Sequence, residues 1–326
     1  PRMLAMIRKE FRELRRDRRT MGMLIALPLV LLVVFGYAAN FGVEQVSTAT
    51  VGPGAEAVAA QLPPFFDVSD IDPSGNRQTA ENALRDNRAD AVVVTGASGK
   101  PALLVDGSSL FTAQALVSAA NKTADTVMTW VLFNPDLKTS WVMVPGLIGL
   151  IMTFIGTIVT SLGLVRERQD GTLEQLAVMP FRPSDVIVGK IAPYFVLAYG
   201  DMVAVTVIGA LLFGVPFAGS VLLFGVSAAV FLLVVLGLGV LISTMSENQG
   251  QAIQTAMFVL MPQILLSGMI FPLTSMPWSV RWLGYILPLT YFIEIAQGVL
   301  LRGAGIGSLW PALLVLAGMA VVVLGG

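Results

Sequence analysis

Apolar runs about twenty residues long recur along the chain, starting near Met21, Trp141, Ser184, Ser220, Gln251 and Leu309. About twenty helical residues cross the roughly 30 Å hydrocarbon core of a bilayer. The runs are apolar all round rather than along one stripe, which suits lipid or a surrounding bundle better than the surface of a soluble domain. The pattern predicts an α-helical polytopic membrane protein with six transmembrane helices, at 21–40, 139–165, 184–213, 219–245, 251–271 and 308–326.

Before the first run the pattern is amphipathic. Met3, Met6, Ile7, Phe11 and Leu14 fall at helical spacing with arginines between them, predicting a cytoplasmic interfacial helix over 1–20. The same segment also serves as a plain basic anchor. The first run is longer than the apolar stretch of a usual signal peptide, so an uncleaved span is expected.

Between the first two runs, residues 41–138 predict a small α/β domain. Residues 76–87 and Leu110 to about Thr129 read as helices, and 89–95 and 101–106 as strands turning at Gly99 and Lys100. The Gly- and Pro-rich opening from Gly52 to Pro64 predicts a loose start. About a hundred residues hold a modest core. The Asn121-Lys122-Thr123 triplet fits a glycosylation acceptor but is too common by chance to carry weight.

Charge assigns the sides. The first twenty residues hold eight Lys or Arg against three acids, and Arg166, Arg168, Arg182 and Lys190 follow the second run, so both segments are expected in the cytoplasm. The stretch from Phe41 to Lys138 carries eleven acids and six bases and is expected outside. Hydrophobic residues make up 55% of the chain, charged ones 13%, and mean hydropathy is +0.78, all displaced from soluble-domain values towards a membrane protein. Cysteine and histidine are both missing, which removes a disulfide framework, the commonest metal ligand and the commonest general base. No metal site is expected.

The most informative loop is 166–183. It is short, charged and closed by Pro180 and Pro183, reading as a compact helix with a turn. Thr172 and Gln175 make a capping-box pair, and Leu173, Leu176 and Ala177 would share one face, available to a partner or to the spans themselves.

Polar groups inside the runs are few. Asp201 lies mid-run, where a charge costs about 2.5 to 3.5 kcal/mol on insertion scales, so it is expected at a dimer interface, in an aqueous cavity or protonated, or else hydrogen-bonded to Tyr199 or Thr206. Gln254, Met257, Phe258, Met261 and Gln263 mix soft apolar and amide groups that suit either a substrate path or packing. Residues 272–307 are less apolar and broken by Gly284, Pro288 and Gly303, a pattern for helices that dip into the outer leaflet without crossing. Their aromatics Trp278, Trp282, Tyr285, Tyr291 and Phe292 suit an interfacial belt.

The loop resembles the coupling segment of ABC-2 type permeases, the membrane subunits of type V ABC exporters. The matching positions are Glu167, Gly171, Thr172, Leu173, Glu174, Gln175, Leu176, Pro180, Arg182, Pro183, Gly189 and Lys190. The basic segment before the first run, 105–108, the start of the second run and 266–278 are similar to the same family in the same order. The fit is poorest over Val46–Phe66. The resemblance implies a drug- or lipid-exporting permease without catalytic residues, coupled to its ATPase through Glu167, Arg168, Gly171, Thr172, Leu173, Glu174, Gln175, Pro180 and Arg182. It implies an outer gate near Phe271, Pro272 and Glu294, with re-entrant helices closing the exit.

No Walker motif is present, and Gly96–Pro101 lacks the required frame, so ATP and Mg are expected on the partner. Implied partners are two ATP-binding cassette ATPase subunits, a second identical or homologous permease, and membrane lipids; nucleic acid is not among them. The expected place is a bacterial inner membrane with the N-terminus cytoplasmic. The last run stops at Gly325 and Gly326, so a short cytoplasmic tail is expected beyond it. Alternative readings are a permease-like regulatory scaffold or a secondary transporter with no ATPase, although neither an internal repeat nor paired midplane charges mark the latter.

Overall fold

A computed structural model describes residues 45–96, 101–121, 128–170 and 183–325. The expected interfacial helix, the first span, the turn at Gly99 and Lys100, and the loop from Gly171 to Arg182 lie outside the described residues.

The α/β domain is built on five strands, β1 (Val46–Val51), β2 (Phe66–Asp72), β3 (Ala91–Val94), β4 (Ala102–Asp106) and β5 (Met128–Leu132), in the order β2-β1-β3-β4-β5. β1 runs parallel to β2 and β3, β3 and β4 pair antiparallel, and β4 and β5 pair parallel. Alternate side chains point to opposite faces of a strand, which gives the sheet two cores. Helix α2 (Arg77–Arg85) covers one face through Ala80, Ala83 and Leu84, packed on Val51, Val92 and Leu104. Its start is fixed by Asn76, whose side chain accepts the Thr79 N–H at 3.1 Å while the Asn76 N–H donates to Thr79 Oγ1. The short α1 (Ala55–Ala59) and the longer α3 (Leu110–Asn121) lie against the other face, where Leu116 packs with Val93, Leu103 and Val105.

Two local expectations are corrected. The helix expected to reach about Thr129 is described over Leu110–Asn121, and Met128–Leu132 is an edge strand rather than its last turn. Its Thr129, Trp130 and Val131 are the β-branched and aromatic types that favour a strand. The opening expected to be loose, Gly52 to Pro64, carries α1, with Val58 and Leu62 packed against the sheet. Just before it, Val46–Val51 is a strand between β2 and β3. Three of its six residues are Ser or Thr, which hid it from a reading based on apolar runs.

The chain then enters α4 (Thr139–Gln169), whose middle, Ile155–Val159, is a π turn. It continues through α5 (Pro183–Phe213), α6 (Val221–Met245) and α7 (Gln249–Leu266). After a 3-10 turn at Leu273–Ser275 come α8 (Trp278–Gly284), α9 (Pro288–Gln297, extended by a π turn over Gly298–Arg302) and α10 (Ile306–Gly325). Among the described residues, Thr139–Gln169, Ile191–Phe213, Val221–Met245 and Ile306–Gly325 are long and apolar enough to cross a membrane. The pair α8 and α9–π, bent by 77°, makes a fifth if counted as one span. This is the architecture of a polytopic helical membrane protein. Helix α7 falls short of that set because Gln249, Gln251, Gln254 and Gln263 dilute it, and it ends at Leu266 rather than Phe271.

Helix α6 is central and touches α4, α5, α7, α9 and α10. Its approach to α4 is very close: a Cβ on Gly239 would stand 2.5 Å from the Gly156 carbonyl oxygen, and one on Gly156 would stand 2.5 Å from Val235. Small residues permit this backbone contact, and packing of this kind holds helices together in lipid, where no hydrophobic force separates them from acyl chains. The Thr153 hydroxyl donates to the Gly149 carbonyl at 2.7 Å and that of Thr157 to Thr153 at 2.6 Å, so these buried polar groups are satisfied within α4. Phe292 stacks on Phe231 with ring centres 4.5 Å apart, pinning α9 to α6.

Candidate functional site

The α/β domain and the helices meet at a buried charged cluster with a cavity beside it. Arg302 closes the π turn after α9, and Gly303 then reverses the chain at φ 63°, a conformation glycine adopts without strain. The turn carries Arg302 up to the sheet, where only 4% of the residue is exposed. Its Nη1 donates to Asn87 Oδ1 at 3.0 Å and Ser108 Oγ at 3.2 Å, and lies 3.5 Å from Asp106 Oδ2. Asp106 ends β4 and is fully buried; its Oδ1 accepts the Ser108 N–H at 2.8 Å.

Asp90, just before β3, accepts from the Ser109 hydroxyl at 3.1 Å. Burial, and secondarily the charge of Asp106, push its carboxyl above the usual range. Burial pushes Asp106 up as well, opposed by the Arg302 guanidinium.

The cavity has a volume of about 220 Å³. The α/β domain contributes Asn87, Asp90, Ser108, Ser109 and Thr112. The helical part contributes Ser267, Thr290, Glu294, Gln297 and Arg302, with Val142, Met269, Pro272, Leu273 and Ile293 between them. Two of the residues assigned to an outer gate, Pro272 and Glu294, therefore share one wall. Phe271 sits apart, buried with Leu265, Leu266, Met276 and Val280.

Other residues singled out in the sequence are more scattered. Glu167 and Arg168 lie in the last helical turn of α4; Gly171, Thr172, Leu173, Glu174, Gln175, Pro180 and Arg182 lie outside the described residues. The end of α4 meets the start of α7, where Gln249 Nε2 donates to Gln169 Oε1 at 3.2 Å. Asp201 is exposed on α5, and the Thr206 hydroxyl donates to the Met202 carbonyl at 2.7 Å. Along α7, Gln254 is exposed whereas Gln263 is 1% exposed with neither amide atom hydrogen-bonded. Nine residues separate them, two and a half turns, so one face does not hold both amides. Met257 packs beside Ile158, Ile242 and Leu260, while Phe258 and Met261 are half-buried.

Sequence reasoning gave no role to Arg302, Asp106 or Asp90. The available signal was Arg302 itself, a lone cation between Leu301 and Gly303 near an apolar run. Its partners, about two hundred residues earlier, could not be named from it.

Comparison with known proteins agrees with a transport role. The ABC-2 family transporter protein family matches residues 18–325. The chain is 29% identical over 338 aligned residues to the probable multidrug ABC transporter permease YbhS of Escherichia coli, covering 93% of this chain and 89% of that protein. It is 34% identical over 192 residues to the inner membrane transport permease YhhJ of the same organism, covering 58% of this chain and 50% of that protein. It is also 30% identical over 192 residues to ABC transporter G family member 20 of Dictyostelium discoideum, covering 58% of this chain and 26% of the relative. With a family match over nearly its whole length and a bundle of membrane-crossing helices, the chain belongs to the ABC-2 transporter family, as a transmembrane permease subunit that is not itself catalytic.

Proposed function

We propose that this permease exports a hydrophobic or amphiphilic substrate, a drug or a lipid, from the cytoplasm or inner leaflet, driven by ATP hydrolysis on a separate ATPase. The observation that carries the reading is the family match across residues 18–325, supported by relatives whose names describe multidrug permeases. In this reading the described spans, α7 and the segment 21–40 form six crossings of a bacterial inner membrane. The basic N-terminus is cytoplasmic and the α/β domain stands outside. Two permeases sit on two ATP-binding cassette subunits, which hold ATP and Mg.

The loop between α4 and α5 is the coupling element. A short helix joined directly to two spans passes on a rigid-body closure of the ATPases better than a slack loop does. Glu167, Arg168, Glu174 and Gln175 make the contacts, and Gly171, Thr172, Leu173, Pro180 and Arg182 shape the helix and its turn. The substrate path takes Asp201, Gln254, Met257, Phe258, Met261 and Gln263, some of them through the second permease, and the exit lies near Phe271, Pro272 and Glu294.

The test is co-expression with the neighbouring ATPase, purification in nanodiscs, and ATP turnover of the native chain beside Glu174→Arg. Co-purification with the native chain and collapse of assembly or turnover in the variant support coupling. Failure to retain any ATPase refutes the exporter reading, and retention without stimulation by any apolar or amphiphilic substrate points to a regulatory scaffold.

A further inference from the structure

We propose that the cavity between the α/β domain and the helices binds a small organic cation, a protonated amine with a short apolar body. This inference is independent of ATP-driven export, since it concerns the walls of the cavity alone.

The charge around the cavity is unbalanced. Asp90 and Glu294 line the cavity together with one cation, Arg302, whose Nη1 is committed to Asp106, Asn87 and Ser108. Among the described residues, no lysine or arginine nitrogen pairs with Asp90 or Glu294. A cation between the α/β wall and the α9 wall corrects that imbalance.

Several of the neutral groups already spend a donor inside the protein. The Thr290 hydroxyl donates to the Gly284 carbonyl at 2.6 Å, Gln297 Nε2 to the Val142 carbonyl at 3.4 Å, and the Ser109 hydroxyl to Asp90 at 3.1 Å. The Thr290 and Ser109 hydroxyls, with their hydrogens committed, offer a guest oxygen lone pairs, and the Gln297 carbonyl oxygen is a further acceptor. Ser267 also lines the cavity, is 2% exposed, and its hydroxyl has no hydrogen-bond partner. A buried hydroxyl left in that state costs free energy that a ligand can recover. An ammonium group brings several donors and no acceptor, the complement of such a wall. Arg302 Nε is the buried donor left over, on the guanidinium engaged with Asp106.

Size and donor set narrow the guest further. Pockets for drug-sized ligands measure roughly 300 to 1,000 Å³, so a cavity of about 220 Å³ suits something smaller. Among the described residues no group of three or more acidic ligands is placed to hold a metal ion, which favours an organic cation. Val142, Met269, Leu273 and Ile293 provide an apolar bed for its body.

The test uses the full chain in nanodiscs and radiolabelled hexylamine at neutral pH, in equilibrium dialysis with empty nanodiscs subtracted. Saturable binding that neutral hexanol does not compete is expected. Glu294→Gln and Asp90→Asn, on opposite walls, should each weaken it by about tenfold or more, the scale of losing a charged hydrogen-bond partner. Ser267→Ala should weaken it less. Binding no greater than to empty nanodiscs, or equal competition by hexanol, overturns the proposal on the native chain alone. Unchanged affinity in either carboxamide variant, eluting as the native chain does, overturns it as well.

Discussion

Over Ile191–Phe213, α5 has a mean hydropathy of 2.0 and keeps 17% of its apolar window inside the molecule, whereas α6 has 2.9 and keeps 50%. The two helices are neighbours in sequence and in space, and both are apolar all round. Helix α6 is enclosed by five others; α5 turns Val196, Leu197, Leu211 and Leu212 outwards. Their ionisable neighbours follow the same division. Arg302 is sealed against Asp106 beside the helices that surround α6, and Asp201 stands exposed on α5. In lipid an apolar side chain gains little by leaving the bilayer for a helix interface, so hydropathy does not say which helix is central. Close packing does.

The difference can be pressed hardest at Arg302. Arg302→Met should lower stability by about 3 to 5 kcal/mol, because it leaves Asp106 buried without its charge partner. Adding Asp106→Leu should restore much of that loss, as measured by thermal unfolding in detergent. Recovery would show that the penalty lies in the orphaned charge rather than in the vacated space.

Gly239→Val comes next. Its side chain would collide with the Gly156 carbonyl, and overpacking of this sort costs about 1 to 3 kcal/mol. A native melting temperature for this variant would mean that α4 and α6 part easily, removing the contrast with α5.

Smaller in size is a pH dependence. Asp90 and Asp106 are raised above 3.8 by burial, so the folded domain binds protons more readily than the unfolded chain. Their contribution is most favourable below about 3.8 and declines as pH rises through the window up to their elevated native values. Unfolding followed against pH should show that decline, and Asp90→Asn should flatten part of it.

The smallest effect is expected on α5. Leu212→Ala is at an exposed position and should change unfolding by no more than about 0.5 kcal/mol. A larger loss, or a change in oligomeric state on gel filtration, would mean that another protein surface covers this face.

The α/β domain was legible where its pattern is simple. Val92–Val94 and Leu103–Val105 alternate across two cores, and Asn76 marks the start of α2 by the capping pair with Thr79. It was not legible at β1, whose threonines are buried by strands on either side, or at β5, which exists because β4 offers it a parallel edge. The candidate site was half legible. Glu294 and Pro272 stand out as a carboxylate and a helix breaker near an apolar region, while Asp90 looks like any surface acid until the fold buries it.

The sequence by itself determined the membrane class and the long apolar helices, because a twenty-residue apolar run has few other ways to satisfy its backbone in lipid. It also determined the family, through motifs spread along most of the chain. Only the tertiary structure decided that α6 is central, that α9 bends back to lift Arg302 into the α/β domain, and that Asp90, Glu294 and Ser267 border one cavity. Those facts depend on approaches of a few ångströms between residues as much as 215 positions apart, and periodicity along a chain carries no record of such distances.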